Sequence, residues 1–182
     1  MSTYLLVDGE NIDATLGMSV LGRRPNPDER PRWDRVLAYA GGMWQQDVRG
    51  LFYLNATSGQ MPMNFVQALL AMNFQPLPLA GSTHEKVVDI GIQRTLEAIA
   101  ARDEGDVILA SHDGDFIPQL AELLQRGRRV AVLCFREFLN AQLAELPGLE
   151  IRDLELDAEA FTGVLPRVRI IPLEEFDPVR YL

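Results

Sequence analysis

Three short runs in this chain are almost wholly apolar: Thr3–Val7 (TYLLV), Asp106–Ala110 (DVILA) and Arg129–Phe135 (RVAVLCF). A strand with one wet face alternates apolar and polar residues. A strand covered on both faces does not have to. Between these runs lie longer stretches whose apolar residues recur at helical spacing. Strands of this kind alternating with helices predict a parallel sheet with helices on both sides. Right-handed crossovers then give an α/β protein, a three-layer α/β/α sandwich. The runs and their turn signals predict a mostly parallel sheet of about five strands.

The remaining elements follow the same logic. Ile12–Val20 opens a helix, and Gly22–Pro31 is a polar, proline-rich loop. Arg32–Gln46 reads as helix through Trp33, Val36, Leu37, Ala40 and Trp44. Gly50–Asn55 is the second strand, and Met61–Asn73 is a helix with Pro62 in its first turn. Phe74–Leu79 is a strand that Pro76 and Pro78 push to an edge. Lys86–Arg102 is a helix with Val88, Ile92, Leu96 and Ile99 on its buried stripe. Phe116–Arg126 is another, ended by Gly127, and Glu137–Leu146 is the last, stopped by Pro147-Gly148. The sequence therefore divides into a domain over 1–148 and a tail over 149–182, interrupted by Pro166, Pro172 and Pro178. That tail is expected to pack on the domain or on a partner.

Composition removes several classes of function. The chain has 182 residues and is 47% apolar, enough for one real core. Its net charge is −9, with 26 acids against 17 bases, which argues against a protein that coats duplex DNA without sequence preference. The single cysteine, Cys134, lies within an apolar strand and is expected in the core; alone it supports no intrachain disulfide and no cysteine-rich zinc site. Met1–Val7 lacks the basic start of a secretion signal, and the longest uncharged stretch is too polar to cross a membrane. A soluble, cytoplasmic protein with no membrane partner is the expectation. That uncharged stretch, residues 50–84, includes a helix apolar nearly all round, with Met61, Met63 and Met72. It is expected to carry a homodimer face.

Ligands of open α/β sheets bind beyond the carboxyl ends of the strands, where the strand order reverses. The first strand ends in Asp8-Gly9-Glu10-Asn11 and the fourth in Ser111-His112-Asp113-Gly114-Asp115-Phe116. Asp89 lies in the first turn of the helix before the fourth strand, three residues after Lys86, the only lysine in the chain. If the first and fourth strands are neighbours, Asp8 and Asp113 meet at the crevice, with Asp89 and Asp115 at its rim. Carboxylates crowded this way stay ionised only with a counter-charge. Oxygen-only donors with room for water suit Mg²⁺ or Mn²⁺. Such a cation polarises a phosphodiester and activates water. Taken singly, each Asp is equally well a helix cap or a complement to a helix dipole. Lys86 is equally an ion-pair partner for Asp89. What capping leaves unexplained is the convergence of four acids on one sheet edge.

The set DGEN (8–11), KVVD (86–89) and SHDGDF (111–116), in that order on those elements, resembles the NYN branch of the PIN-like nucleases, especially its LabA-like bacterial members. The resemblance covers roughly residues 3–135 and implies a metal-dependent ribonuclease, with RNA as substrate. By the same resemblance Asp8, Asp89 and Asp113 match the metal-binding acids, and Asp115 a fourth. Asn11 matches a residue that steadies the site by hydrogen bonding, and Ser111 a small hydroxyl residue near the metal. Lys86 offsets charge at the phosphate or orients Asp89. His112 and Val87 stand where glycine is usual, and their bulk is expected to narrow the cleft or change the substrate.

Other readings sit beside these. His84 and His112 flank the same edge, where a histidine serves as general acid or is simply solvated. Glu10 is expected to point outward. Arg23, Arg24, Arg30, Arg32 and Arg35 form a cluster that grips single-stranded phosphates, with Trp33 or Tyr39 to stack on, or else a solvated face diluted by Asp28, Glu29 and Asp34. The alternative function is a non-catalytic RNA-binding or regulatory assembly protein on the same fold. A phosphatase with an Asp-x-Asp nucleophile motif is disfavoured, because the third position is Glu10.

Overall fold

The computed structural model describes residues 1–182. Its centre is a six-stranded sheet, every pairing parallel, in the order β3-β2-β1-β4-β5-β6. The strands are β1 (Ser2–Asp8), β2 (Asp47–Asn55), β3 (Phe74–Leu79), β4 (Asp106–Ala110), β5 (Val130–Cys134) and β6 (Glu150–Asp153). The helices are α1 (Gly9–Thr15), α2 (Trp33–Met43), α3 (Met63–Ala71), α4 (Val87–Ala100), α5 (Ile117–Gln125) and α6 (Ala141–Ala144). This is the three-layer α/β/α sandwich expected, with one strand more.

The central strands are apolar throughout because both faces are covered. Leu5, Val7 and Phe52 point into one core with α1, α2 and α3; Leu6, Tyr53 and Leu109 point into the other with α4 and α5. β4 and β5 are buried at every position. β3 is an edge strand, as its prolines predict. Pro76 and Pro78 are two residues apart, so both missing N–H groups fall on the same side of the strand, away from β2.

Three elements differ from expectation. α1 lasts only to Thr15 and then widens into a π-helical turn, Leu16–Leu21, closed by Gly22 in the left-handed region at φ 67°. The last predicted helix breaks into a 3₁₀ turn, Arg136–Phe138, and the short α6, because Asn140 restarts the chain by capping the Leu143 N–H. β6 falls in the segment read as tail. Beyond it, Leu154, Ala158, Ala160, Phe161 and Leu165 are buried in the first core, and Arg35 donates to the carbonyls of Glu159 and Phe161. Arg167 then reaches Glu137 and Glu155, each at 2.6 Å, with its guanidinium 5.9 Å from the Phe135 ring centre. Past Arg169 the large apolar residues Ile170, Leu173, Val179 and Leu182 are exposed.

Candidate active site

In this strand order the chain starts twice from the middle, and β1 and β4 lie side by side at the point of reversal. Val7 pairs with Ala110, so Asp8 and Ser111 leave the sheet together at its carboxyl end. The crevice between them is a cavity of about 350 Å³ lined by Asp8, Glu10, Asn11, Asn55, Lys86, Asp89 and Asp113, among others. Two glycines in the loops that carry these residues allow close packing behind them. A Cβ on Gly9 would stand 2.5 Å from the Phe52 ring, and one on Gly114 would stand 2.8 Å from the Asn140 side chain.

The carboxylates of Asp89, Asp113 and Asp115 each offer an oxygen within 4.8 Å of the others. Asp8 lines the same cleft but lies outside that group. It is 3% exposed and accepts a hydrogen bond from Ser111 Oγ at 2.9 Å. Burial pushes its carboxyl up to about 6; the Ser111 hydroxyl and the Asn11 backbone N–H pull it back, while Asp89 and Asp113 raise it further. The Asp89 carboxyl is raised too, first by burial and then by Asp113, with Lys86 opposing. Capping explains only one oxygen of Asp113, which accepts from the Asp115 N–H at 2.9 Å. Ser111 is fully buried; its hydroxyl also accepts from the Asp113 N–H at 3.2 Å, tying the two strand ends together. Lys86 pairs with Asp115 at 3.6 Å, rather than with Asp89, in an exposed ion pair.

These donors suit a hard divalent cation. Three carboxylate oxygens within 4.8 Å of one another are close enough for side-chain rotation to bring them onto one six-coordinate ion, leaving its other positions to water. Mutual repulsion keeps them apart without it.

His112 is not in the cleft. It is 5% exposed, its ring stacked on Phe135 with an interplanar angle of 3°. Its Nε2 accepts from the Phe135 N–H at 2.8 Å, so the proton sits on Nδ1, which lies 2.8 Å from Asn11 Oδ1. Asn11 Oδ1 also accepts from the His112 N–H at 2.9 Å. Burial holds the imidazole at about 4, so it is neutral at ordinary pH. The general-acid reading therefore fails: both ring nitrogens are spoken for, and the residue positions Asn11 instead. Val87 is buried in the second core and also lines the cleft. His84 is exposed on the loop before α4 and does not line the cleft.

Sequence reasoning missed Asn55, which lines the cleft from the carboxyl end of β2; its place beside β1 was the available signal. The arginine cluster is largely spent inside the chain. Arg23 grips Glu29, Arg30 pairs with Asp13, and Arg32 pairs with Asp34. Glu10 is exposed, as expected, and lines the cleft.

An all-parallel sheet with an acid cleft at its switch point defines a class of ligand-binding α/β domain. Within that class, the family model of the NYN domain matches residues 2–145. The chain belongs to the NYN domain family of the PIN-like nuclease superfamily, whose domains are in general nucleases. It is similar in fold to a protein of unknown function from Vibrio parahaemolyticus, at 18% identity and a TM-score of 0.66, over 86% of this chain and 94% of that one. No curated protein matches it. No helix is long and apolar enough to cross a membrane.

Proposed function

We propose that this chain is a divalent-metal-dependent endoribonuclease that hydrolyses RNA phosphodiester bonds. The observation that carries the reading is the convergence of Asp89, Asp113 and Asp115 beside the buried Asp8 at the sheet's switch point. Asp89, Asp113 and Asp115 would hold Mg²⁺ or Mn²⁺, with Asp8 at the base of the cleft. When bound, such an ion supplies Lewis-acid polarisation of the phosphodiester and a water of lowered pKa. Lys86 offsets charge at the phosphate, within reach of Asp115. Asn11 presents its amide N–H₂ group in a fixed orientation, because His112 holds the carbonyl end. Ser111 keeps Asp8 and the Asp113 loop in register. The choice of RNA over DNA rests on the family.

The test is cleavage of labelled RNA and DNA with Mn²⁺, Mg²⁺ or chelator, beside Asp113→Asn and Asp8→Asn. The expected result is metal-dependent RNA cleavage that both variants lose while keeping their fold. Equal cleavage by the variants refutes the site. Metal and RNA binding without cleavage on a broad panel favours a non-catalytic RNA-binding protein. A cytoplasmic setting fits Cys134, a free and buried thiol. The proposal includes a homodimer through residues 50–84, where Met61, Met63 and Leu70 are exposed large apolar side chains. Sedimentation tests it; a monomer at high concentration excludes it.

A further inference from the structure

A second cavity, of about 220 Å³, opens beside the acid cleft. Trp33, Phe52 and Phe65 line it, with Arg30, Asp13 and Glu10 supplying its charged groups. Trp33 and Phe65 each stand edge-on to Phe52, at 83° and 80°, with ring centres 5.1 and 5.3 Å away. The two cavities share one partition, the first turn of α1. Asp8 and Asn11 line the cleft, Gly9 and Ile12 line the aromatic cavity, and Glu10 lines both. Neighbouring Cα atoms are only about 3.8 Å apart, so one step along the backbone leads from the acids to the aromatic cavity.

From this juxtaposition we infer that the aromatic cavity binds one unpaired nucleobase of the strand whose phosphate lies at the acids. The inference rests on the reading of that cleft as a phosphodiester site. A base offers a flat π-face to the half-buried Phe65 ring, which is backed by the buried Phe52 and Trp33, and polar edges to the charged groups. Arg30 spends one N–H on Asp13 Oδ1 at 2.8 Å, which leaves guanidinium donors and one carboxylate oxygen for a base edge. Aromatic rings stack on every base, so this cavity selects for single-stranded RNA rather than for a sequence. A paired base is held in its helix and cannot enter. Gly9 is part of the device, since a side chain there would collide with Phe52.

The test uses Phe65, which is half-buried on α3 and lies outside the acid cleft. Phe65→Leu keeps apolar bulk and loses the π-face; Phe65→Trp restores it. The probes are single-stranded RNA oligonucleotides, each with one abasic nucleotide moved along the strand, and a fully paired duplex. Binding is read by fluorescence anisotropy in Ca²⁺, and cleavage separately in Mn²⁺. Loss of a base stack is worth about 1–3 kcal/mol, so Phe65→Leu should weaken single-strand binding about 5- to 150-fold. Phe65→Trp should recover it. One abasic position should match the Phe65→Leu loss, and the variant should not respond further to it. Cleavage by Phe65→Leu should show a raised KM with kcat kept. Should RNA be cut while no abasic position and no Phe65 variant alters binding, the base site is wrong and the nuclease reading stands. Should no cleavage occur while the abasic and Phe65 effects persist, the cavity binds a base and the nuclease reading fails. If Phe65→Leu and the duplex bind as the wild type does to single strands, the inference is overturned.

Discussion

Replacing Asp8 by Asn should make the metal-free protein more stable at neutral pH. Asp8 is buried beside Asp89 and Asp113, and its carboxyl is raised from 3.8 to about 6. An acid whose folded pKa lies above its unfolded value contributes stability below the unfolded value and loses it as pH rises through the folded one. At pH 8 the wild type therefore carries a penalty of about 3 kcal/mol for ionising this group. By pH 5 the penalty falls to about half of that. Asn keeps an oxygen to accept from Ser111 and carries no charge to desolvate. Urea unfolding in chelator at pH 8 should show the Asp8→Asn midpoint raised by about 1–2 M, with a smaller gap at pH 5. Saturating Mg²⁺ should narrow the gap, because the cation offsets the Asp8 charge that only the wild type carries. A variant less stable than wild type at pH 8 in chelator, or a gap that ignores pH, would refute the account of Asp8 as a charge the fold tolerates for function.

Four further outcomes are expected. His112→Phe leaves the Phe135 N–H without an acceptor and frees Asn11, costing about 2–4 kcal/mol in chemical denaturation. His112 is held at about 4, so its share of stability is present above about 6.5 and lost as pH falls through 4; the variant should lack that acid loss, as a pH series of melts will show. Mg²⁺ or Mn²⁺ should raise the wild-type Tm in calorimetry and leave Asp113→Asn nearly unmoved, because that change removes one of the three clustered carboxylates. Gly9→Ala places a Cβ 2.5 Å from the Phe52 ring and should cost about 1–3 kcal/mol by overpacking, read as a lowered Tm.

Much of this architecture is legible one segment at a time. DVILA reads as a strand over the residues that form β4, because burial on both faces leaves an unbroken apolar run. Pro76 and Pro78 mark β3 as an edge for a reason internal to the residues, the absence of an N–H. β6 is different. Its four residues, Glu150–Asp153, include two acids and Arg152, and pairing with β5 is what makes them a strand. The break in the last predicted helix likewise depends on a distant partner, the His112 carbonyl, which accepts from the Asn140 N–H at 3.2 Å.

The site divides along the same line. Each acid's position at a strand end or in a first helical turn follows from local periodicity, which records burial along a few neighbouring residues. That Asp89, Asp113 and Asp115 converge and that Lys86 turns to Asp115 are results of α4 packing against the turn after β4; that Asp8 is buried beside Ser111 is a result of β1 lying against β4. Nothing local distinguishes the buried, neutral His112 from a solvated histidine. Its role is set by Asn11 and Phe135, 101 and 23 residues away along the chain. Short-range patterning tells a residue how deeply it will be buried; only the packed sheet decides which distant groups it will meet there.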